Sequence, residues 1–325
     1  MKNLITSSPI EMLTPIWQRL LQRPSVGAQD NFFELGGNPV LAIELFDEIA
    51  RLCGRELSPL LIYQAPTIMA LASLLEQDAP RLTSAVPLKS GSAWPPIFIA
   101  HGMGGSVMEF FELVKHIQLP YPIYGIQAKG TDGIDAPLEA IEDMAQYHLD
   151  SIKEIQPRGP YVFLGHSLGG LVAVEMAQRT SSSGEEVALL AMMDSYPHAS
   201  HLSVGQRVGV FVRKIKRSVA SRLKKKKMPD ERLQSLFLSP ATLRVKAAAQ
   251  LALSLYLPHY FSGEIKFVQA AVGSIFPAPE AVWGHLARSI HVETVPGDHN
   301  GMLADHYEAV AAVLSRHVRE ALCRQ

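Results

Sequence analysis

Cysteine is scarce in this chain. There are two, Cys53 and Cys323, too few and too far apart in sequence for a disulfide framework or a metal knuckle. That usage fits a reducing cytoplasm, which is the expected location. Net charge is also nearly absent. Thirty Lys and Arg stand against 31 Asp and Glu, a balance of -1, so the whole molecule has no electrostatic pull toward nucleic acid or acidic substrates. No apolar run is long enough to span a bilayer. The start, Met1 to Pro9, lacks the continuous apolar stretch of a secretory leader. No solenoid-type repeat is visible. What the chain does have is hydrophobic residues, 47% of 325. That supports a large core, one α/β domain plus something small.

Gly165-His166-Ser167-Leu168-Gly169 has the G-x-S-x-G form. Before it, Tyr161 to Leu164 reads as a short buried strand. After it, Gly170 to Arg179 reads as a helix with apolar residues at helical spacing. A strand, a tight turn and a helix put a serine on a sharp elbow with its hydroxyl exposed above a sheet. Most serines beside glycines are simple turn residues. The strand-elbow-helix context is what selects Ser167 as a nucleophile.

An elbow serine needs an acid and a histidine, in that chain order. His299 lies in the Gly-rich turn Gly297 to Met302, just past the alternating segment Ile290 to Val295. Asp194 ends the run Val187 to Met193, which reads as a fully buried parallel strand. An aspartate at the carboxyl end of such a strand stands where open α/β sheets bind ligands. The plain alternatives are a capping or surface histidine and an N-cap aspartate. After the later strand Ile265 to Ala270 no carboxylate appears until Glu280, which favours Asp194. His166 packs beside the elbow on this reading, and His148, His285 and His291 fall in helices or strands with structural roles.

An oxyanion hole needs two backbone donors. Leu168, immediately after the serine, supplies one. The other is assigned to Met103, in the loop His101 to Ser106 that follows the strand Pro96 to Ala100. Glycines there let the backbone approach a reacting carbonyl. A phosphate-cradling role is disfavoured because no P-loop lysine follows.

Residues 1–77 read as a small helical bundle, with apolar faces at Ile10 to Leu21, Leu41 to Ile49 and Ile68 to Leu75. Residues 78–95 carry Pro80, Pro87, Gly91 and Pro95 and read as a linker leading into a first strand near Val86. Residues 96–325 then alternate strands with helices, which argues for a mostly parallel sheet covered on both faces. The strands are placed at Pro96–Ala100, Ile123–Ala128, Tyr161–Leu164, Val187–Met193, Glu264–Ala270 and His291–Val295. Residues 200–258 interrupt that pattern with helices, placed as a lid. From Ser195 to Pro229 no acidic residue occurs, while Arg207, Arg213, Lys214, Lys216, Arg217, Arg222 and Lys224 to Lys227 are basic. Val208, Phe211, Val212, Ile215, Val219 and Leu223 fall on one helical face. A solvated lid helix, a docking surface for an acidic carrier or phosphate-bearing donor, and a membrane-surface helix are the readings, in that order.

Two blocks resemble known families. Asp30-Asn31-Phe32-Phe33-Glu34-Leu35-Gly36-Gly37 before an apolar helix resembles the carrier domain of a nonribosomal peptide synthetase. From about Pro87 onward the chain resembles the type I thioesterase domain that ends such synthetases. The matching pieces are the Gly102 to Gly105 loop, the Ser167 elbow, Asp194-Ser195-Tyr196-Pro197, Gly263 to Ala270, Phe276 to Pro279 with Val282-Trp283, and the Gly297 to Met302 turn. The resemblance implies an α/β-hydrolase fold with a helical lid, behind a small all-α carrier-like bundle. It also implies that Ser167, Asp194 and His299 form a triad.

The departure is at the carrier corner. Carrier domains of this family bear phosphopantetheine on a serine two residues after the Gly-Gly pair. Here Asn38-Pro39 follows, and proline has no hydroxyl. No phosphopantetheine is expected on this chain, and no metal or other cofactor. The expected activity is a serine thioesterase that releases acyl or peptidyl chains, by hydrolysis or cyclisation, from a carrier domain on another polypeptide or from acyl-coenzyme A. An esterase acting on oxyesters and a synthetase-docking protein are the rivals.

Overall fold

A computed structural model describes residues 8–208, 210, 239–272, 276 and 278–323. The basic residues Arg213 to Lys227, most of the apolar face running from Val208 to Leu223, and Pro277 lie outside the described residues.

The first part is all helical: α1 (Pro9–Leu20), α2 (Pro39–Cys53), a single turn α3 (Leu61–Gln64) and α4 (Ile68–Leu75). Local sequence explains their starts. Ser8 and Glu11 form a reciprocal capping box on α1, which satisfies two otherwise orphaned amides. At α2, Asn38 Oδ1 accepts from Val40 N–H at 2.9 Å and Leu41 N–H at 3.0 Å. Pro39 occupies the first turn, where a missing N–H costs nothing. Leu13, Trp17, Leu45, Ile49 and Phe32 are wholly buried together, with the Trp17 ring edge-on to Phe32 at 5.1 Å. α3 was not separately visible in the sequence, because one turn carries no periodicity.

The second part is a seven-stranded sheet in the order β1-β3-β2-β4-β5-β6-β7. The strands are β1 (Ala85–Lys89), β2 (Ile97–Ala100), β3 (Ile123–Ile126), β4 (Tyr161–His166), β5 (Val187–Met193), β6 (Phe261–Ala270) and β7 (Ala287–Val295). Only β1 pairs antiparallel, with β3, and every other neighbour is parallel. The expected strands are present. β6 and β7 run three or four residues further toward their amino ends than hydrophobicity suggested.

Helices α5 (Phe111–His116), α6 (Ile141–Ile155), α7 (Leu168–Ser182), α8 (Pro240–Leu255), α9 (Pro279–Trp283), α10 (Gly301–Ala304) and α11 (Tyr307–Leu322) complete the described elements with two short 3-10 turns, Val107–Phe110 and Ala199–His201. α7 is buried around most of its circumference from Leu168 to Ala177. Its low amphipathicity follows, since neither side faces much water. Buried residues on the two faces of the sheet form two core clusters. His148 lies on α6 and His291 on β7, as expected, but His285 lies in the turn between α9 and β7. Arg288 and Ser289 beyond that turn are solvent-facing, so this stretch gave no clear periodic signal. No helix among the described residues is long and apolar enough to cross a membrane.

The helical part meets the sheet through α3, which packs on β1, and through Phe33, whose ring lies 5.7 Å from that of Phe111 on α5. A cleft of about 630 Å³ opens beside this contact, next to Gly37 and Asn38. Its lysines already have partners: Lys89 donates to the Ile117 carbonyl and Lys115 to Glu112.

Candidate active site

The chain reverses its direction of travel across the sheet between β2 and β4, since β3 lies on one side of β2 and β4 on the other. In open α/β sheets the loops leaving the strands diverge at that point and leave a crevice at their carboxyl ends. Both the glycine loop after β2 and the serine elbow after β4 open there.

The elbow is sterically forced. Ser167 has φ +56° and ψ -119°, outside the regions ordinary residues prefer. A Cβ on Gly165 would lie 2.1 Å from the Gly169 carbonyl oxygen, and one on Gly169 would lie 2.2 Å from the Ala100 oxygen. Helix α7 therefore comes too close to β4 for a side chain at Gly165 and too close to the end of β2 for one at Gly169. The Ser167 N–H is held by the Met193 carbonyl at 3.0 Å, which ties the elbow to the end of β5.

Asp194 follows directly on β5, also with positive φ (+44°). Its N–H bonds the Val268 carbonyl at 2.9 Å, and its Oδ1 lies 3.5 Å from the Ala270 N–H. The carboxylate is only 6% exposed. The next residues are pinned as well: Ser195 Oγ donates to the Met193 carbonyl at 3.0 Å, and Trp283 Nε1 donates to the Ser195 carbonyl at 3.0 Å. His299 hangs from the turn after β7, shaped by Asp298 Oδ1, which accepts from the Asn300 and Gly301 amides at 3.2 and 2.9 Å.

These three side chains come together. His299 Nδ1 lies 2.7 Å from Asp194 Oδ2, and His299 Nε2 lies 3.1 Å from Ser167 Oγ. A carboxylate accepts hydrogen bonds only, so Nδ1 carries the proton and Nε2 presents its lone pair to the serine hydroxyl. The order along the chain, serine then acid then histidine, is the one expected. Glu280, the first carboxylate after β6, lies on α9 and takes no part in this array.

Leu168 and Met103 are the two backbone amides expected to donate to an oxyanion. Leu168 opens α7, whose amino end carries a partial positive charge. Met103 lies in the glycine loop. No turn or cap hydrogen bond among the described residues uses the N–H of either. The Gly102 N–H, by contrast, is already bound by Glu109 Oε1 at 2.5 Å. From the lid insertion, α8 lies over this loop: a Cβ on Gly105 would stand 2.6 Å from Val245 Cγ1. Beyond the end of α8, Tyr256 is anchored by its hydroxyl, which donates to Glu175 Oε2 of α7 at 3.0 Å.

Beneath the loop are two fully buried histidines. His101 Nδ1 donates to the Gly102 carbonyl at 2.7 Å, and His148 Nδ1 lies 2.7 Å from Ser84 Oγ. Burial pushes the pKa of both downward, and that of His148 well below the usual histidine range. Sequence patterns found the serine, acid and histidine but missed Glu109 and the hydrogen bond of His166. The first contact spans a seven-residue loop and the second more than a hundred residues, and no local motif marks either.

A thioesterase-domain family model matches residues 95–318, and a phosphopantetheine attachment-site model matches residues 12–75. Among curated proteins, a dimodular nonribosomal peptide synthase of Bacillus subtilis (strain 168) is 39% identical over 190 residues, covering 58% of this chain and 8% of that protein. Malpibaldin synthetase of Mortierella alpina is 37% identical over 210 residues, covering 62% of this chain and 4% of that protein. The chain thus spans less than a tenth of either relative. Among solved structures, a four-domain nonribosomal peptide synthetase bound to AMP and glycine aligns over 98% of this chain and 26% of its own, at 24% identity and TM-score 0.61. The wild-type Vlm2 thioesterase domain aligns over 72% of this chain and 97% of its own, at 25% identity and TM-score 0.51.

Proposed function

Since this chain belongs to the thioesterase-domain family and carries a phosphopantetheine attachment-site domain in front, we propose that it releases acyl or peptidyl chains from carrier-bound thioesters through an ester on Ser167. The observation that carries the proposal is the continuous hydrogen-bonded array from Asp194 through His299 to Ser167 Oγ, set on a strained elbow.

In the first step the Ser167 oxygen attacks the thioester carbonyl while its proton passes to His299 Nε2. Asp194 holds the imidazole in the required tautomer and stabilises the imidazolium. Negative charge collects on the former carbonyl oxygen, where the amides of Met103 and Leu168 receive it. The carbon–sulfur bond then breaks, and the imidazolium proton leaves with the thiolate as a thiol. In the second step water, or a nucleophile within the acyl chain itself, loses a proton to His299 and attacks the ester, and His299 returns that proton to the Ser167 oxygen as the ester bond breaks. Water gives a free acid and the internal nucleophile gives a ring.

The thioester comes from elsewhere. The position two residues after Gly36-Gly37 is Pro39, and neither serine nor threonine occurs between Ser25 and Ser58. Pro39 also completes the start of α2, with Asn38 as its cap. The residues present do not fit covalent attachment of phosphopantetheine, and no step is assigned to that group on this chain. A carrier domain of another synthetase polypeptide is the assigned donor, with acyl-coenzyme A second. The chain is placed in the cytoplasm, with the carrier-like part spanning 1–77 and the thioesterase part 96–325.

A serine-directed fluorophosphonate tests the assignment. One label on the wild-type chain, lost in Ser167→Ala, is the expected result. A label retained in that variant overturns it. Initial rates on matched oxyester and thioester substrates then separate thioesterase from esterase.

A further inference from the structure

A carboxylate outside the proposed triad holds the glycine loop of the site, and its role rests on the reading of Ser167 and His299 as the reacting pair. Glu109 sits on the short 3-10 turn Val107–Phe110, which is capped by Ser106. One oxygen, Oε1, takes the Gly102 N–H at 2.5 Å. The other, Oε2, stands 3.7 Å from His166 Nδ1. His166 is 4% exposed, and its Nε2 lies 3.0 Å from the His299 carbonyl oxygen. A carbonyl only accepts, so Nε2 carries the proton; Nδ1 faces Glu109 from beyond hydrogen-bond reach and has no hydrogen-bond partner among the described residues. The rings of His166 and His299 lie 4.7 Å apart. Gly102 belongs to the same arrangement, because a Cβ there would fall 2.8 Å from Glu109 Oε1.

We propose that Glu109 is a positioning residue for the thioester reaction. It holds the Gly102–Met103 segment through the Gly102 amide. That contact has a direct chemical consequence. With its N–H committed to Glu109, Gly102 cannot donate to the developing oxyanion, and the following amide, Met103, is left to do so. The bond is charge-assisted, stronger than an ordinary amide contact, and suited to fixing a glycine-rich loop. One oxyanion donor is worth about 10²- to 10³-fold in kcat. Loosening a donor without removing it is expected to cost about 10- to 100-fold, in the reaction step and not in binding.

The test uses the full chain with a fluorophosphonate probe, resolving the binding constant KI from the rate of bond formation to Ser167. Glu109→Ala should lower that rate about 10- to 100-fold while KI stays within about twofold of wild type. Glu109→Gln keeps an oxygen at the same reach for the Gly102 amide and should recover most of the rate. Glu109→Asp draws the carboxylate back by one methylene and should remain slow. A purely structural role would instead lower the melting temperature of all three variants and leave the rate of the folded fraction unchanged, which overturns the proposal. So does wild-type behaviour of Glu109→Ala. If Glu109→Ala does not fold, the order of the other two decides: Gln faster than Asp supports the proposal, and the reverse order refutes it. Ser167→Ala run beside them separates the two levels of argument. Labelling that persists there removes the underlying reading of the site, whereas an unlabelled Ser167→Ala with an unimpaired Glu109→Ala removes only the role of Glu109.

Discussion

Replacing Asp194 by asparagine changes one atom and removes one charge. The side chain is nearly buried, and its Oδ2 is 2.7 Å from His299 Nδ1. An asparagine of the same shape keeps the backbone bond from residue 194 to Val268, so the elbow and the β5 terminus stay in place. The chemistry does not survive as well. If the new amide turns its NH₂ toward His299, Nδ1 must accept, the ring proton moves to Nε2, and the face 3.1 Å from Ser167 Oγ becomes a donor. It then has no lone pair for the serine proton. If the amide presents oxygen instead, the tautomer is kept but the imidazolium loses its counter-charge. Two unit charges about 4 Å apart attract by roughly 4 kcal/mol at an effective dielectric near 20, or about three powers of ten in rate. Loss of a triad aspartate in the best-studied serine proteases gives about 10⁴. We expect Asp194→Asn to lower kcat by about 10³- to 10⁴-fold, with a native circular dichroism spectrum. Initial rates on an acyl N-acetylcysteamine thioester, beside the rate of fluorophosphonate labelling, measure the effect. Turnover within about tenfold of wild type in a folded variant would refute the reasoning and move the acid elsewhere.

Three further outcomes are expected from the same geometry. Gly169→Ala forces a methyl group to 2.2 Å from the Ala100 oxygen and 2.5 Å from the His101 oxygen. Overpacking of this kind costs about 1–3 kcal/mol or more, and a melting temperature lowered by at least roughly 2 °C is expected; an unchanged melt would mean α7 shifts freely on β2. Burial lowers the pKa of His101, His148 and His317 from their ordinary 6.5. As pH falls below 6.5 the unfolded chain binds protons that the folded chain refuses, so stability drops by up to roughly 1.4 kcal/mol per pH unit for each histidine; urea midpoints at pH 7.5 and 5.5 check this, and a midpoint that holds or rises on acidification contradicts it. Incubation with coenzyme A and a broad-specificity phosphopantetheinyl transferase should leave the intact mass unchanged, whereas a gain of one phosphopantetheine unit would locate an attachment site other than residue 39.

The frame of the candidate site was legible in the sequence because its signals are local and strong. Tyr161 to Leu164 and Val187 to Met193 are unbroken apolar runs followed by Gly and Asp, and their length and flanks favour a buried parallel strand over a buried helix. The serine elbow, with glycines where strand and helix nearly touch, is similarly self-contained. The starts of β6 and β7 were less visible. Ser262, Glu264, Arg288 and Ser289 face outward there, and backbone pairing with the neighbouring strand defines their state where hydrophobicity does not. Glu109 and His166 were harder still. Glu109 meets Gly102 through the irregular path of one seven-residue loop, and His166 meets His299 across more than a hundred residues that only the assembled sheet brings together. The position of α8 over Gly105 belongs to the same class: the insertion was readable as helical, but the contact between Val245 and the glycine loop was not.

The central claim is a covalent acyl group on Ser167. It is tested most directly by mixing the protein with a panel of acyl N-acetylcysteamine thioesters, quenching in acid within the first turnovers, and mapping the digest by mass spectrometry. The account predicts an acyl mass on the peptide that contains Ser167, absent from Ser167→Ala together with turnover. An adduct on a different residue, or thioester cleavage that continues in Ser167→Ala, would contradict it.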